Sequence, residues 1–197
     1  FGIDIIPTFG GSPSDPGPTV DKNGVFIMTT LNPGMAASYS TNNGVSWSSV
    51  VNITTQSSDK NFAASDDVPA SAYYGRSYCV WSDFSATNPP IAISYTTNSS
   101  VSWSPLSVIN TPPSGHYSQG CDITTGPNGE VYVCWAAPVS SGSFTEDFAG
   151  FAKSVNGGVN WTVNENIYDM NGIRSSSYNG WGVRVNSFPR IAVDKSG

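Results

Sequence analysis

Short apolar runs, broken by clusters of Gly, Asn, Ser and Pro, dominate this chain. The runs have strand length, and no stretch carries a convincing helical period, so every predicted element is a β-strand. They fall into sets of four. The first set is residues 18–20, 25–29, 35–40 and 47–53. The second is 62–65, 77–81, 91–96 and 103–109, and the third is 121–125, 131–135, 148–154 and 161–167. Four short strands with turns between them, repeated, predict a repeat architecture.

One turn carries the repeat. Ser40-Thr41-Asn42-Asn43-Gly44-Val45-Ser46-Trp47 returns as Thr96-Thr97-Asn98-Ser99-Ser100-Val101-Ser102-Trp103. It returns again as Ser154-Val155-Asn156-Gly157-Gly158-Val159-Asn160-Trp161. Each copy joins the third and fourth run of its set, as a hairpin turn should. The Asn side chain can accept backbone N–H bonds and close the turn locally. Gly44 and Gly158 take a positive φ at no steric cost. Ser100 does not, so the middle turn is expected to be distorted. The tryptophans Trp47, Trp103 and Trp161 are expected to pack across the hairpin bases. A second repeat supports the first: Pro18-Thr19-Val20-Asp21-Lys22-Asn23-Gly24 returns as Ile191-Ala192-Val193-Asp194-Lys195-Ser196-Gly197. Asp21, Asp66 and Asp194 recur at the end of a first strand and read as turn formers.

The octapeptide resembles the Asp-box, or BNR repeat, of the sialidase-like β-propellers, whose form is Ser/Thr-x-Asp-x-Gly-x-Thr-Trp/Phe. Asn42, Asn98 and Asn156 stand where the family has Asp, keeping the acceptor oxygen and dropping the charge. Asp59-Lys60-Asn61-Phe62-Ala63-Ala64-Ser65-Asp66, Tyr74-Gly75-Arg76-Ser77-Tyr78-Cys79-Val80-Trp81-Ser82-Asp83-Phe84 and Gly126-Pro127-Asn128-Gly129-Glu130-Val131-Tyr132-Val133-Cys134-Trp135 are similar to segments of secreted bacterial proteins of that kind. The resemblance runs over nearly the whole chain. It implies an all-β fold, a sialidase-like β-propeller of four-stranded antiparallel blades, with about 3.5 blades of a ring of roughly six or more. The expected division is a closing strand (residues 3–6) and loop in 1–17, blades at 18–58, 59–115 and 116–173, and the start of another at 174–197. The open blade faces are then expected to be covered by the remainder of the propeller or by a neighbouring chain. In the family the boxes are structural.

Composition narrows the class. The chain is 38% hydrophobic, 12% aromatic and 11% charged, with a net charge of -6 and a pI near 4.4. This suits a secreted or cell-surface β-protein and argues against nucleic acid or an anionic membrane as partner. No run reaches the ~18 apolar residues of a membrane span. A four-residue loop at 126–129 would set Thr125 opposite Glu130 and Cys121 opposite Cys134, where a disulfide is geometrically feasible. Two buried thiols are the alternative reading.

Propeller topology sorts the candidate chemistry. The box turns and the first-to-second strand turns share one face, the bottom. The longer loops gather on the other, the top, where variable loops on a rigid frame bind ligands. Asp15, Asp59, Lys60, Gln119, Asp122 and Arg190 are expected to ring the channel there. Asp83, Phe84, His116, Tyr117, Glu146, Asp147, Arg174, Tyr178, Trp181 and Arg184 join them from nearby loops. Carboxylates and aromatic rings around a funnel suit a sugar, so the expected partner is a glycan or an extracellular protein. The resemblance also implies what a catalytic member needs: three arginines for a substrate carboxylate, a Tyr–Glu nucleophile pair and an acid/base Asp. The first such arginine sits in Arg-Ile-Pro, whereas this chain has Gly17-Pro18-Thr19-Val20 there, and Arg190-Ile191-Ala192 in a later blade. The preferred reading is therefore a non-catalytic recognition propeller. A sialidase-like exo-glycosidase and a structural subunit of an extracellular assembly are the alternatives. No cofactor is expected: no cluster has metal-ligand spacing, and calcium around Asp59 or Asp83 has no motif behind it.

Overall fold

A computed structural model describes residues 13–173 and 185–194. The closing strand expected at 3–6 lies outside them. The described residues form twelve strands and no helix. They are β1 (Ser14–Val20), β2 (Phe26–Leu31), β3 (Met35–Ser40), β4 (Val51–Thr54), β5 (Ser58–Ser65), β6 (Ser77–Asp83), β7 (Ile91–Thr96), β8 (Ser107–Val108), β9 (Gln119–Thr125), β10 (Val131–Pro138), β11 (Glu146–Ser154) and β12 (Thr162–Asp169). They make three antiparallel sheets of four, each in chain order: β1 to β4, β5 to β8 and β9 to β12. The first strands of successive sheets, β1 with β5 and β5 with β9, lie against one another. The sheets therefore stand side by side about their first strands, as blades do.

Burial follows from that stacking. Every residue of β6 is buried, because the middle blade is covered on both faces, whereas β12 is almost wholly exposed. Between the second and third blades, Tyr78, Val80, Ile91 and Ile93 meet Cys121, Ile123, Val133 and Trp135. Between the first and second, Met35 meets Cys79, Trp81 and Ala92, flanked by Trp103 and Leu106. Trp135 lies flat on Gly150, where a Cβ would stand 2.2 Å from the indole. The fully buried rings of Tyr78, Trp81 and Trp135 pack between the blades with the aliphatic side chains, and removing this apolar area from water favours the stacking.

The three box turns make one set of bonds. Asn42 Oδ1 accepts from Ser40 Oγ (2.9 Å) and Ser46 N (2.9 Å), and Gly44 N donates to Ser40 Oγ (2.9 Å). Asn98 Oδ1 accepts from Thr96 Oγ1 (2.9 Å) and Ser102 N (3.0 Å), and Ser100 N donates to Thr96 Oγ1 (3.1 Å). Asn156, Ser154, Gly158 and Asn160 repeat the pattern. The amide nitrogens of Asn42 and Asn98 also donate to Ser46 and Ser102, a bond an aspartate could not donate. The expected distortion at Ser100 is corrected. Ser99 (φ 56°) and Ser100 (φ 73°) take the same left-handed conformation as Gly157 (φ 70°) and Gly158 (φ 85°). Ser100 Oγ accepts the indole N–H of Trp103 at 3.0 Å, which helps offset the strain.

Two further expectations change. Thr125 pairs with Val131 and Cys134 with Asp122, one residue off the expected register, and Cys79, Cys121 and Cys134 are all free thiols. The hairpin closes through Gly126 N to Glu130 O (2.8 Å), so its loop is one residue longer than expected, which sets Cys134 opposite Asp122, and Cys121 itself lies in the bulge between Gln119 and Asp122. The strands also run further toward the top than predicted: Asp15, Asp59, Lys60, Gln119, Asp83, Glu146 and Asp147 belong to strands rather than loops.

Candidate functional site

At the top of the channel each first strand is interrupted in the same place. Pairing slips between Ser14 and Gly17 in β1, between Asp59 and Phe62 in β5, and opposite 134–136 in β9. The bulged residues Asp15 (φ 53°), Lys60 (φ 52°) and Gly120 (φ 68°) are left-handed. Glycine adopts this freely, but Asp and Lys do so at a cost of about 1 kcal/mol or more each. The bulges aim their side chains across the joints between blades. Lys60 Nζ lies 3.1 Å from Asp15 Oδ2. Gln119 Nε2 donates to Asp59 Oδ2 at 2.5 Å, and the Cys121 thiol donates to Lys60 O at 3.2 Å. Beneath them Asn61 Nδ2 donates to Thr29 Oγ1 (2.8 Å), which donates to Gly17 O (2.9 Å). A Cβ on Gly17 would stand 2.7 Å from Asn61 Nδ2 of the second blade, so glycine is what lets the first two blades close there.

Asp122 is nearly buried. Its Oδ1 accepts from Ile123 N (2.8 Å) and its Oδ2 from Ile191 N (3.1 Å), tying residues 185–194 to the inner strands. The Arg190 guanidinium stacks 4.1 Å from the centre of the Phe62 ring, a cation–π contact.

Farther out the predicted residues form separate groups. Asp83 ends β6 by accepting from Ser85 N at 3.0 Å, a turn-forming role. Phe84 and Tyr117 meet edge to face at 5.9 Å. His116 Nε2 lies 2.8 Å from Asp147 Oδ2, its Nδ1 faces Ser114 O at 3.2 Å, and its ring is 4.7 Å from Phe148. Glu146 is fully buried. Thus Asp15, Lys60, Asp59 and Gln119 come together, and Asp122 joins Arg190. Asp83, His116 and Tyr117 stay on the periphery, and Arg174, Trp181 and Arg184 lie outside the described residues.

Sequence reading passed over Glu165. Its carboxylate accepts from Asn110 Nδ2 (3.0 Å) and Thr111 N (3.1 Å), beside a groove of about 380 Å³ between the outer strands of the second and third blades. Burial raises its pKa, opposed by those hydrogen bonds. The only hint in the sequence is a carboxylate in the middle of a strand whose one other charge, Asp169, is at its end. Burial also pushes the thiols of Cys79 and Cys134 up to about 12, and Cys121 well above its ordinary value, so none is a nucleophile at neutral pH. Among the described residues no group of three or more His, Cys, Asp or Glu is placed to hold a metal ion.

No family model matches this chain, and no curated protein sequence does. Solved structures do. A Dyadobacter fermentans protein of unknown function is 16% identical, with a TM-score of 0.57 over 83% of this chain and 54% of its own. The α-L-arabinofuranosidase Arb93A of Fusarium graminearum is 12% identical, with a TM-score of 0.56 over 80% of this chain and 50% of that one. Trypanosoma rangeli sialidase is 13% identical, with a TM-score of 0.51 over 78% of this chain and 30% of that one. The chain spans about half the length of the first two. At such identities the likeness concerns the fold alone: all-β, with the four-stranded blades of the sialidase and glycosidase propellers.

Proposed function

We propose that this chain is part of a secreted recognition propeller of the Asp-box kind that binds a glycan at the top of its channel without catalysis. The observation that carries the proposal is the pair of links Asp15–Lys60 and Asp59–Gln119, held across blade joints on left-handed bulges. Carboxylate, amide and ammonium groups so fixed present donors and acceptors to hydroxyls at little entropic cost. Each channel carboxylate already has a partner, which suits recognition better than proton transfer. The low charge and polar composition support an extracellular setting. A glycan array probed with the chain and with the double variant Asp59→Ala/Gln119→Ala tests this. The expected result is saturable binding that falls at least tenfold in the variant. No glycan bound, or equal binding by the variant, overturns the reading.

A second reading, exo-glycosidase activity shared with sequence beyond these residues, draws on the named activities of the arabinofuranosidase and sialidase neighbours and on the half-length match. Fluorogenic sialoside, arabinofuranoside and xyloside substrates test it, and turnover of any one would replace the first reading. A scaffold role, with a neighbouring chain on the exposed face of β12, would appear as a native mass above the 20.8 kDa of these residues.

A further inference from the structure

The outer joint between the second and third blades holds a carboxylate that the proposed function does not use. In β12 every residue is exposed except Glu165, which is half-buried. Its strand neighbours Val163, Ile167 and Tyr168 are open to solvent. Burial driven by hydrophobicity alone would give the reverse order, because an ionised side chain gives up hydration that an apolar one lacks. What shelters Glu165 is a set of neutral donors. Thr111 N donates to its Oε1 at 3.1 Å, and Asn110 Nδ2 to its Oε2 at 3.0 Å. Asn110 is fixed in turn: its Oδ1 accepts from Ile91 N (2.8 Å), and its Nδ2 also donates to Ser118 Oγ (2.8 Å). The indole N–H of Trp135, wholly buried and with no other partner, faces the same carboxylate. Glu165 is thus pre-organised by groups from both blades.

These donors hold the charge in place without cancelling it. Every lysine and arginine among the described residues is engaged elsewhere: Lys22 at Tyr74, Lys60 at Asp15, Arg76 at Tyr73 and Tyr95, Lys153 at Tyr132, and Arg190 at Phe62. A carboxylate offers about four acceptor sites. Thr111, Asn110 and Trp135 address three of them, which leaves a place for a point donor rather than for the forked donors of a guanidinium. The groove beside Glu165, about 380 Å³, is also lined by Val108 of β8, Ile109 and Val163 of β12. Val108 and Val163 come from the outer strands of different blades and are both exposed. One anionic group therefore stands in a groove whose remaining walls are largely apolar.

We propose that this groove takes a lysine side chain of a protein partner, with the ammonium on Glu165 and the methylene stem between Val108 and Val163. A flexible alkyl stem that ends in a compact cation matches apolar walls around one anionic acceptor, whereas a sugar ring would set its hydroxyls against valine. The net charge of -6 favours the approach of such a basic partner. The test is amide NMR of the chain, read at Thr111 and Val163, with N-acetyl-lysine amide, N-acetyl-norleucine amide, N-acetyl-arginine amide and ammonium chloride as probes. Saturable shifts are expected with lysine amide, weaker ones with ammonium and none with norleucine amide. Glu165→Gln weakens lysine binding about tenfold. Val163→Thr, which keeps the carboxylate, weakens it about threefold. Neither variant alters Asp59 or Gln119, so glycan binding at the top of the channel stays unchanged in both. Absence of saturable shifts, equal response to norleucine amide, or undiminished binding by Glu165→Gln would overturn the proposal. Arginine amide bound as tightly as lysine amide would overturn the choice of lysine. Binding seen only in the double variant Arg174→Gln/Arg184→Gln would mean that this chain fills the groove itself, and would overturn the partner.

Discussion

On the bottom face, the turns after β3, β7 and β11 make the same hydrogen bonds with different residues at the variable positions. On the top face, the bulges of β1, β5 and β9 keep the same left-handed backbone while every side-chain partner changes. The bonds inside the box turns join residues at most four apart, so each box builds itself wherever its pattern occurs. The bonds around the channel on the top face join residues of different blades, such as Asp59 with Gln119 and Asp122 with Ile191. They exist only once the blades are stacked. A repeated local motif therefore provides the frame, and the positions free of that motif are where one blade can differ from the next.

The strongest test removes what the two faces share. Gly150→Val drives a side chain into the Trp135 indole in the interblade core, and overpacking there costs about 3 kcal/mol or more. Circular dichroism melting should show both faces lost in a single transition at much lower temperature. Asn98→Ala separates the faces. It removes the bonds to Thr96, Ser102 N and Ser102 Oγ and should cost about 1–2 kcal/mol. Hydrogen exchange should then quicken around 96–103 and stay slow at Lys60 and Gln119. Asn98→Asp keeps the acceptor and should cost only a few tenths of a kcal/mol. Lys60→Gly reverses the emphasis. It relieves left-handed strain of about 1 kcal/mol but loses a part-exposed ion pair of similar or smaller worth. Its denaturation midpoint should barely move while top-face glycan binding falls. Glu165 gives the smallest effect. Its pKa is raised in the folded chain, so the native state holds the proton more tightly than the unfolded state. Its contribution is fully present below the ordinary value of 4.5 and is lost as pH rises through the folded value. Stability measured from pH 4 upward should decline slightly over that window, and Glu165→Gln should flatten the decline.

Much of the frame was legible in the residues. The octapeptide located all three hairpins, and the alternation of apolar runs located the strands, although Trp47, Trp103 and Trp161 precede β4, β8 and β12 rather than opening them. Ser100 was misread because side-chain bonds to Thr96 and Trp103 outweigh the usual preference for glycine. The cysteine register was misread because Glu130 joins the turn, its carbonyl accepting from Gly126 N, which makes the loop one residue longer than 126–129 and sets Cys134 opposite Asp122. Asp15, Asp59, Lys60 and Gln119 could be assigned to one end of the channel, but not their pairing, and nothing singled out Glu165 as the partner of Asn110 and Thr111.

By itself, then, the chain determined its all-β character, its blade repeat and its box turns, because those depend on residue-scale alternation and on bonds between close neighbours. Only the stacking of the blades decided that Lys60 would face Asp15, that Asp59 would face Gln119, that Ser99 would donate to Asp21 and that Arg76 would reach Gly157. Each of those contacts spans two blades and tens of residues. No local pattern encodes it, because its geometry is set by how two separately formed sheets bury their shared apolar faces.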